Sequence, residues 1–252
     1  MTTICAVANQ KGGVGKTTTS INLAAALAAL ERRVLLVDCD PQGNATRGLG
    51  SETATPHLYQ VLTGEVTAAD AVRPSGFPHL DLLPSGRDLV GVEIEFVGLE
   101  GWEGRLAERL AEVAGRYDFV FLDCPPSLGH LTVLALVAAT TVLVPLQCEY
   151  FALEGLTELL STVRRVAGAL NPTLAIDGIL LTMYDDRMKL TRDVEAEVRA
   201  HFDAAVFRTV IPRNVRLAEA PSHGQPILQY DIKSRGAEAY LALARELTGR
   251  RR

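Results

Sequence analysis

Eleven residues near the start of the chain, Asn9 to Thr19 (NQKGGVGKTTT), set glycines, two lysines and a run of threonines in an order suited to gripping phosphate. Gly12, Gly13 and Gly15 let the backbone curl, so that the N–H groups of the stretch, Val14 included, turn inward on a phosphate chain. A helix starting near Lys16 adds the positive end of its dipole. Lys16 is expected at the β- and γ-phosphates, the Thr17 hydroxyl on Mg²⁺, and Thr18 near the α-phosphate. A glycine-rich turn without a ligand is the bland alternative, and it does not account for Gly-Lys-Thr at the junction. Two departures stand out: Gln10 occupies the place where the general phosphate-loop pattern has glycine, and a second lysine, Lys11, precedes Lys16 by five positions. Downstream, Asp38, Asp40 and Asp123 each follow a short apolar run. Asp123 fits the aspartate that holds magnesium opposite such a loop, often through water, although alone it would read as a helix cap.

The elements that position these groups show in the alternation of apolar runs with helical stretches. Strand-like runs lie at 2–8, 34–38, 80–85, 119–123, 141–146, 176–183 and 207–212; helix-like stretches lie at 17–30, 86–96, 103–115, 128–139, 152–169, 189–202 and 234–247. Near-continuous Val, Ile and Leu predict strands buried on both faces, and the alternation predicts βαβ units. The expected fold is α/β, a doubly wound and mostly parallel sheet with helices on both faces, of the P-loop NTPase kind. In such sheets ligands sit beyond the carboxyl ends of the strands. The Gly-rich loop and the three aspartates all fall at those ends.

Bulk properties fit this reading. With 252 residues, 48% hydrophobic and 22% charged, the chain can bury a sizeable core, and no linker or repeat divides it, so one domain over 1–252 is expected. Cys5, Cys39, Cys124 and Cys148 are widely spaced, with no C-x-x-C pair, and read as small buried hydrophobes; a metal ligand is the lesser reading for Cys124. No secretory signal is visible, and the longest apolar stretch, 131–146, is broken by Thr140, Thr141 and Pro145, so a cytoplasmic protein is expected. The net charge of −5 argues against a surface that is basic throughout. From Asp185 onward, however, 13 Lys and Arg face 10 Asp and Glu, against 12 and 20 before it. That third has room for a modest basic patch or simply a solvated face.

Lys11 to Thr18, KGGVGKTT, resembles the deviant Walker A motif of the ParA/MinD group of P-loop ATPases. DCDPQGN at 38–44 is similar to that group's switch segment in its ParA/Soj form. The likeness continues through FLDCPPSLG (121–129), PLQCEYFALEGL (145–156), LLTMYD (180–185) and VIPRNVRLAEAPSHGQPI (210–227). The resemblance implies a dimer with two ATP molecules between facing subunits. Lys11 then reaches the partner's nucleotide, much as an arginine finger does, and Gly12 is small because the opposite chain passes close by. It implies further that Asp40 orients the attacking water, that Asp38 organises the magnesium shell, and that unassisted hydrolysis is slow. Met183, Pro212 and Asn214 match the segments that sandwich adenine, although a Pro- and Asn-rich turn would look the same for structural reasons.

The same resemblance implies non-specific DNA binding by basic residues gathered through dimerisation. Arg187 and Arg216 match, with Arg213, Lys189, Lys233 and Arg235 as neighbours; any one could be an ordinary surface charge. Strand-like residues begin almost at once, so no helix-turn-helix domain is expected ahead of them. The implied partner is a ParB/Spo0J-like centromere-binding protein, and the implied place is the cytoplasm, on the nucleoid. A MinD-like membrane ATPase is the alternative, but the terminal AYLALARELTGRRR is Ala-rich rather than bulky and amphipathic. A cluster-bearing reductase lacks suitable cysteines. A non-enzymatic scaffold would keep Lys16 without needing Asp40.

Overall fold

The computed structural model describes residues 2–52 and 55–250. Seven strands form one sheet: β1 (Thr3–Val7), β2 (Val34–Asp38), β3 (Arg73–Pro74), β4 (Leu80–Leu83), β5 (Phe119–Asp123), β6 (Thr141–Gln147) and β7 (Ala175–Thr182). Their order is β3-β4-β2-β5-β1-β6-β7, parallel throughout except for the short edge strand β3. The chain therefore builds outward in both directions from the middle of the sheet, which makes a crevice at the carboxyl end of β1.

Strand residues alternate between two apolar layers with the period of two that the pleat imposes. Ala6, Leu35, Val37, Val120 and Leu122 face one layer. Cys5, Val7, Leu36, Phe119 and Phe121 face the other. The first layer is covered by helices Leu58–Thr63, Arg105–Ala114, His130–Ala138 and Ala152–Ala169, with Val194 and Val198 of helix Lys189–Phe202 added at the β7 side. The second is covered by helices Lys16–Ala29 and Arg235–Gly249, which also pack on each other. All four cysteines are buried, with no disulfide among the described residues, as small apolar residues would be.

The doubly wound parallel sheet matches the expectation from sequence; one expected strand does not form. Residues 207–212 run beside β7 without a continuous ladder: isolated bridges join Ile179 with Val206 and Tyr184 with Pro212, and single backbone bonds run from Phe207 N–H to the Ile179 carbonyl at 2.9 Å and from Ile211 N–H to the Leu181 carbonyl at 2.8 Å. The backbone N–H groups of Arg208 and Thr209 donate instead to the Glu246 carboxylate, at 2.8 and 2.9 Å. Pro212 has no N–H to give, so a regular ladder cannot run through this stretch. The expected helix at 86–96 is shorter too, a 3₁₀ turn at Arg87–Gly91 followed by one helical turn, Val92–Glu95.

Candidate nucleotide site

The glycine-rich loop leaves β1 and is pinned from both sides. Asn9 Nδ2 donates to the Pro145 carbonyl at 2.7 Å, and its Oδ1 accepts the Lys11 N–H at 3.0 Å. From β7, Thr182 Oγ1 donates to the Val14 carbonyl at 2.8 Å. Gly13 and Gly15 hold φ of +74° and +89°, a conformation that side-chain-bearing residues rarely adopt. Gly15 caps the helix Lys16–Ala29 without a side-chain hydrogen bond, and no acidic residue stands in its first turn. Its leading N–H groups thus lack a side-chain acceptor, which suits them to binding an anion.

Lys16 is buried at the mouth of this helix, and its Nζ donates to the Lys11 carbonyl at 3.0 Å. Burial lowers its pKa, opposed chiefly by the nearby Asp123 carboxylate. Asp38 and Asp123 end adjacent strands in register, and both are fully buried. Asp38 spends both oxygens on protein donors: Oδ2 accepts the Thr46 N–H and hydroxyl, at 2.8 and 2.7 Å, and Oδ1 accepts the Asp40 N–H at 3.2 Å. Asp123 Oδ1 accepts the Ser20 hydroxyl at 2.7 Å, whereas its Oδ2 is buried without a partner. Burial raises the pKa of both carboxyls; the charge of Asp38 raises Asp123 further, while the hydrogen bond from Ser20 and the neighbouring Thr17 hydroxyl pull it down. Two neighbouring buried carboxylates, one with an oxygen that has no hydrogen-bond partner, suit a divalent cation.

Asp40 begins the turn after β2. Its carbonyl accepts the Ser85 hydroxyl at 2.7 Å and the Gly43 N–H at 2.8 Å, and its Oδ1 accepts the Gln42 N–H at 2.9 Å. Asp40 lines a cavity of about 260 Å³ together with Gly12, Gly13, Lys16, Thr17 and Thr18. Asn44 and Pro126 complete that wall. Neither could be singled out from sequence, because each reaches the cavity only through the path of its loop. A second cavity, about 360 Å³ and largely apolar, is lined by Met183, Pro212, Asn214 and Leu217. Gly15, Thr18 and Met183 border both. The two form one elongated cleft, polar where the loop curls and apolar beyond it, with the shape and chemistry of a nucleotide's phosphate and base ends.

Lys11 is not among the residues lining either cavity, and its side chain, partly exposed, pairs with the Glu149 carboxylate. The adjoining Tyr150 and Phe151 are 80% and 65% exposed, edge to face with each other. Of the basic residues singled out from sequence, Arg187, Arg213 and Arg235 line one groove that shares Pro212, Arg213 and Val215 with the apolar cavity. Arg216 follows on helix Val215–Glu219, and Lys233 and Lys189 are exposed. Arg187 forks onto Asp185 at 2.7 and 2.8 Å, and Arg216 pairs with Glu219 at 3.0 Å and Asp231 at 3.5 Å.

One contact ties the two regions together. The Asp40 turn runs through helix Asn44–Gly48 to Gly50, which lies backbone to backbone against Gly224, at the end of the segment that follows Arg216. A Cβ on Gly224 would sit 2.5 Å from Gly50 Cα, and one on Gly50 would sit 3.0 Å from the Gly224 carbonyl oxygen.

Comparison with known proteins agrees with this geometry. Residues 2–176 match a family model described as an AAA domain. The chromosome-partitioning ATPase Soj of Thermus thermophilus is 55% identical, over 97% of this chain and 95% of its own. The chromosome partitioning protein ParA of Caulobacter vibrioides is 54% identical over 99% and 95%, and the sporulation initiation inhibitor protein Soj of Bacillus subtilis 53% over 97% of each. Among solved structures, a cobyrinic acid a,c-diamide synthase of Mycobacterium smegmatis with bound ADP and magnesium superposes with a TM-score of 0.86 at 40% identity, over 97% and 93% of the two chains. The cell division ATPase MinD of Pyrococcus furiosus superposes at 0.82 with 28% identity, over 99% of each. Sheet order, loop and matching relatives along nearly its full length agree: the chain belongs to the ParA/Soj family of chromosome-partitioning P-loop ATPases.

Proposed function

We propose that the chain is an ATP-driven partition switch: ATP and Mg²⁺ close two subunits face to face, the closed dimer holds DNA without sequence preference, and hydrolysis releases it. The observation that carries this reading is the pair of adjoining cavities, with Lys16, Thr17 and Asp40 lining the polar one and Met183, Pro212 and Asn214 the apolar one. Loop N–H groups from Gly12 to Lys16 bind the phosphates. Thr17 and Asp123 hold the magnesium, with Asp38 fixing the strand end beside them. The ion, when bound, neutralises phosphate charge. Asp40 orients a water for attack on the γ-phosphorus as the bond to ADP breaks. Lys11 leaves Glu149 and crosses to the partner's phosphates, so closure needs nucleotide to offset the repulsion between two facing lysines.

Arg187, Arg213, Arg216, Lys233 and Arg235 supply the phosphate contacts to DNA, doubled by dimerisation. A ParB/Spo0J-like protein stimulates turnover, which is slow without it. The reading favours the nucleoid over a membrane. The apolar residues of helix Arg235–Gly249, including Tyr240, Leu243 and Leu247, are already buried against the sheet. No helix among the described residues is long and apolar enough to cross a bilayer. Phosphate release measured with ATP alone, with duplex DNA, and with DNA plus a ParB-like protein tests the cycle: stepwise stimulation is expected, and a rate indifferent to both additions contradicts it.

A further inference from the structure

Asp40 is held by a closed ring of hydrogen bonds, and one corner of that ring lies on a different strand. Its N–H donates to Asp38 Oδ1 at 3.2 Å, and its carbonyl accepts the Ser85 hydroxyl at 2.7 Å. Ser85 donates its own N–H to Thr46 Oγ1 at 2.9 Å, and the Thr46 hydroxyl donates to Asp38 Oδ2 at 2.7 Å. Asp38, Thr46 and Ser85 are fully buried and Asp40 nearly so. Within such a ring each bond holds the next, because a buried group that let go would find no water in exchange.

Three corners belong to one stretch of chain, from the end of β2 into helix Asn44–Gly48. Ser85 does not. It follows β4, which pairs with β2 in parallel register as far as Val37 and Leu83, and it stands 45 positions from Asp40. Its own backbone is anchored next door, where the Leu58 N–H donates to the Pro84 carbonyl at 2.9 Å. The Asp40 carbonyl has a second donor, the Gly43 N–H at 2.8 Å, but that bond lies within the turn and moves with it. The Ser85 hydroxyl is the group that ties Asp40 itself to the neighbouring strand end.

The ring leaves the side chain of Asp40 a defined task. Both of its backbone groups are fixed, and its Oδ1 accepts the Gln42 N–H at 2.9 Å. Among the described residues no protein donor bonds to its Oδ2, on a residue that lines the polar cavity with Lys16 and Thr17. Ser85 lines neither cavity. We propose that Ser85 is a positioning residue for hydrolysis, which aims the Asp40 carboxylate at the attacking water without touching water or nucleotide; this rests on the reading of Asp40 given above. Removing the hydroxyl leaves the carbonyl bonded to Gly43 and the Ser85 N–H bonded to Thr46, so aim is lost before stability is.

Ser85→Ala, Asp40→Ala and the variant carrying both, each as the full chain with Mg²⁺ and labelled ATP, test this by single-turnover phosphate release. In Ser85→Ala the rate is expected to fall about tenfold or more, with ATP affinity and dimerisation by a non-hydrolysable analogue within about twofold of wild type. On top of Asp40→Ala the same change should lower the residual rate by less than about twofold, because the carboxylate it aims is gone. A serine that only supports the fold would lower both backgrounds alike. Wild-type turnover in Ser85→Ala, or two losses that multiply, overturns the proposal. Wild-type turnover in Asp40→Ala alone overturns the reading of Asp40 instead, and the positioning role with it. Should Ser85→Ala lack a cooperative melt, Thr46→Val, which removes the hydroxyl joining Ser85 to Asp38, takes its place in both backgrounds with the same outcomes expected.

Discussion

Two lysines in one loop occupy opposite situations. Lys16 is buried against the Lys11 carbonyl, while the Lys11 side chain stands on the exposed face, held by Glu149. An exposed ion pair of this kind contributes little to stability, so Lys11 is free to exchange partners. Lys11→Ala is therefore expected to leave the thermal melt and ATP affinity near wild type, while light scattering with a non-hydrolysable analogue shows monomers. Asp40→Ala should give the complementary result, with dimers formed and phosphate release falling by roughly two orders of magnitude or more. Asp123 makes a third case. Its buried, unpartnered Oδ2 beside Asp38 costs the metal-free protein stability. Asp123→Asn is expected to raise the metal-free melting temperature and to abolish the stabilisation that magnesium plus ATP gives the wild type. A variant that melts lower without metal, and still responds to magnesium, would remove Asp123 from the metal site.

Among elements, residues 207–212 are the instructive departure. Their apolar run reads as a strand, but Glu246, on the terminal helix, takes two of their N–H groups, and it also pairs with Arg250 at 3.0 Å. Glu246→Ala should cost about 1–3 kcal/mol in denaturant unfolding, because two backbone donors lose their acceptor. Near-neutral stability would mean that water replaces the carboxylate there. No local pattern could announce this, since the partners lie 37 and 38 residues apart. The same holds for Ser20, which steadies Asp123 from 103 positions away. By contrast β1, β2 and β5 were legible as buried Val-, Leu- and Phe-rich runs, and the loop as glycines where φ must be positive. Helix Asn44–Gly48, at five residues, is too short to show a helical period, and β3, two residues ending in proline, is too short to show an alternating one.

At the scale of the whole molecule, the groove that carries Arg187, Arg213 and Arg235 also carries Asp185, Asp186 and Glu238, so its arginines stand among carboxylates. Arg216→Glu would also face Glu219 and Asp231 with a like charge. Its ATP-dependent affinity for duplex DNA is expected to fall by about tenfold or more at moderate salt, with a shallower dependence of affinity on salt. An unchanged mobility shift would move the DNA surface elsewhere. The abutting glycines at 50 and 224 add a constraint of their own. The two backbones leave no room for even a methyl group between them. Under the proposed function, this contact would couple any movement of the turn bearing Asp40 to the segment that follows Arg216.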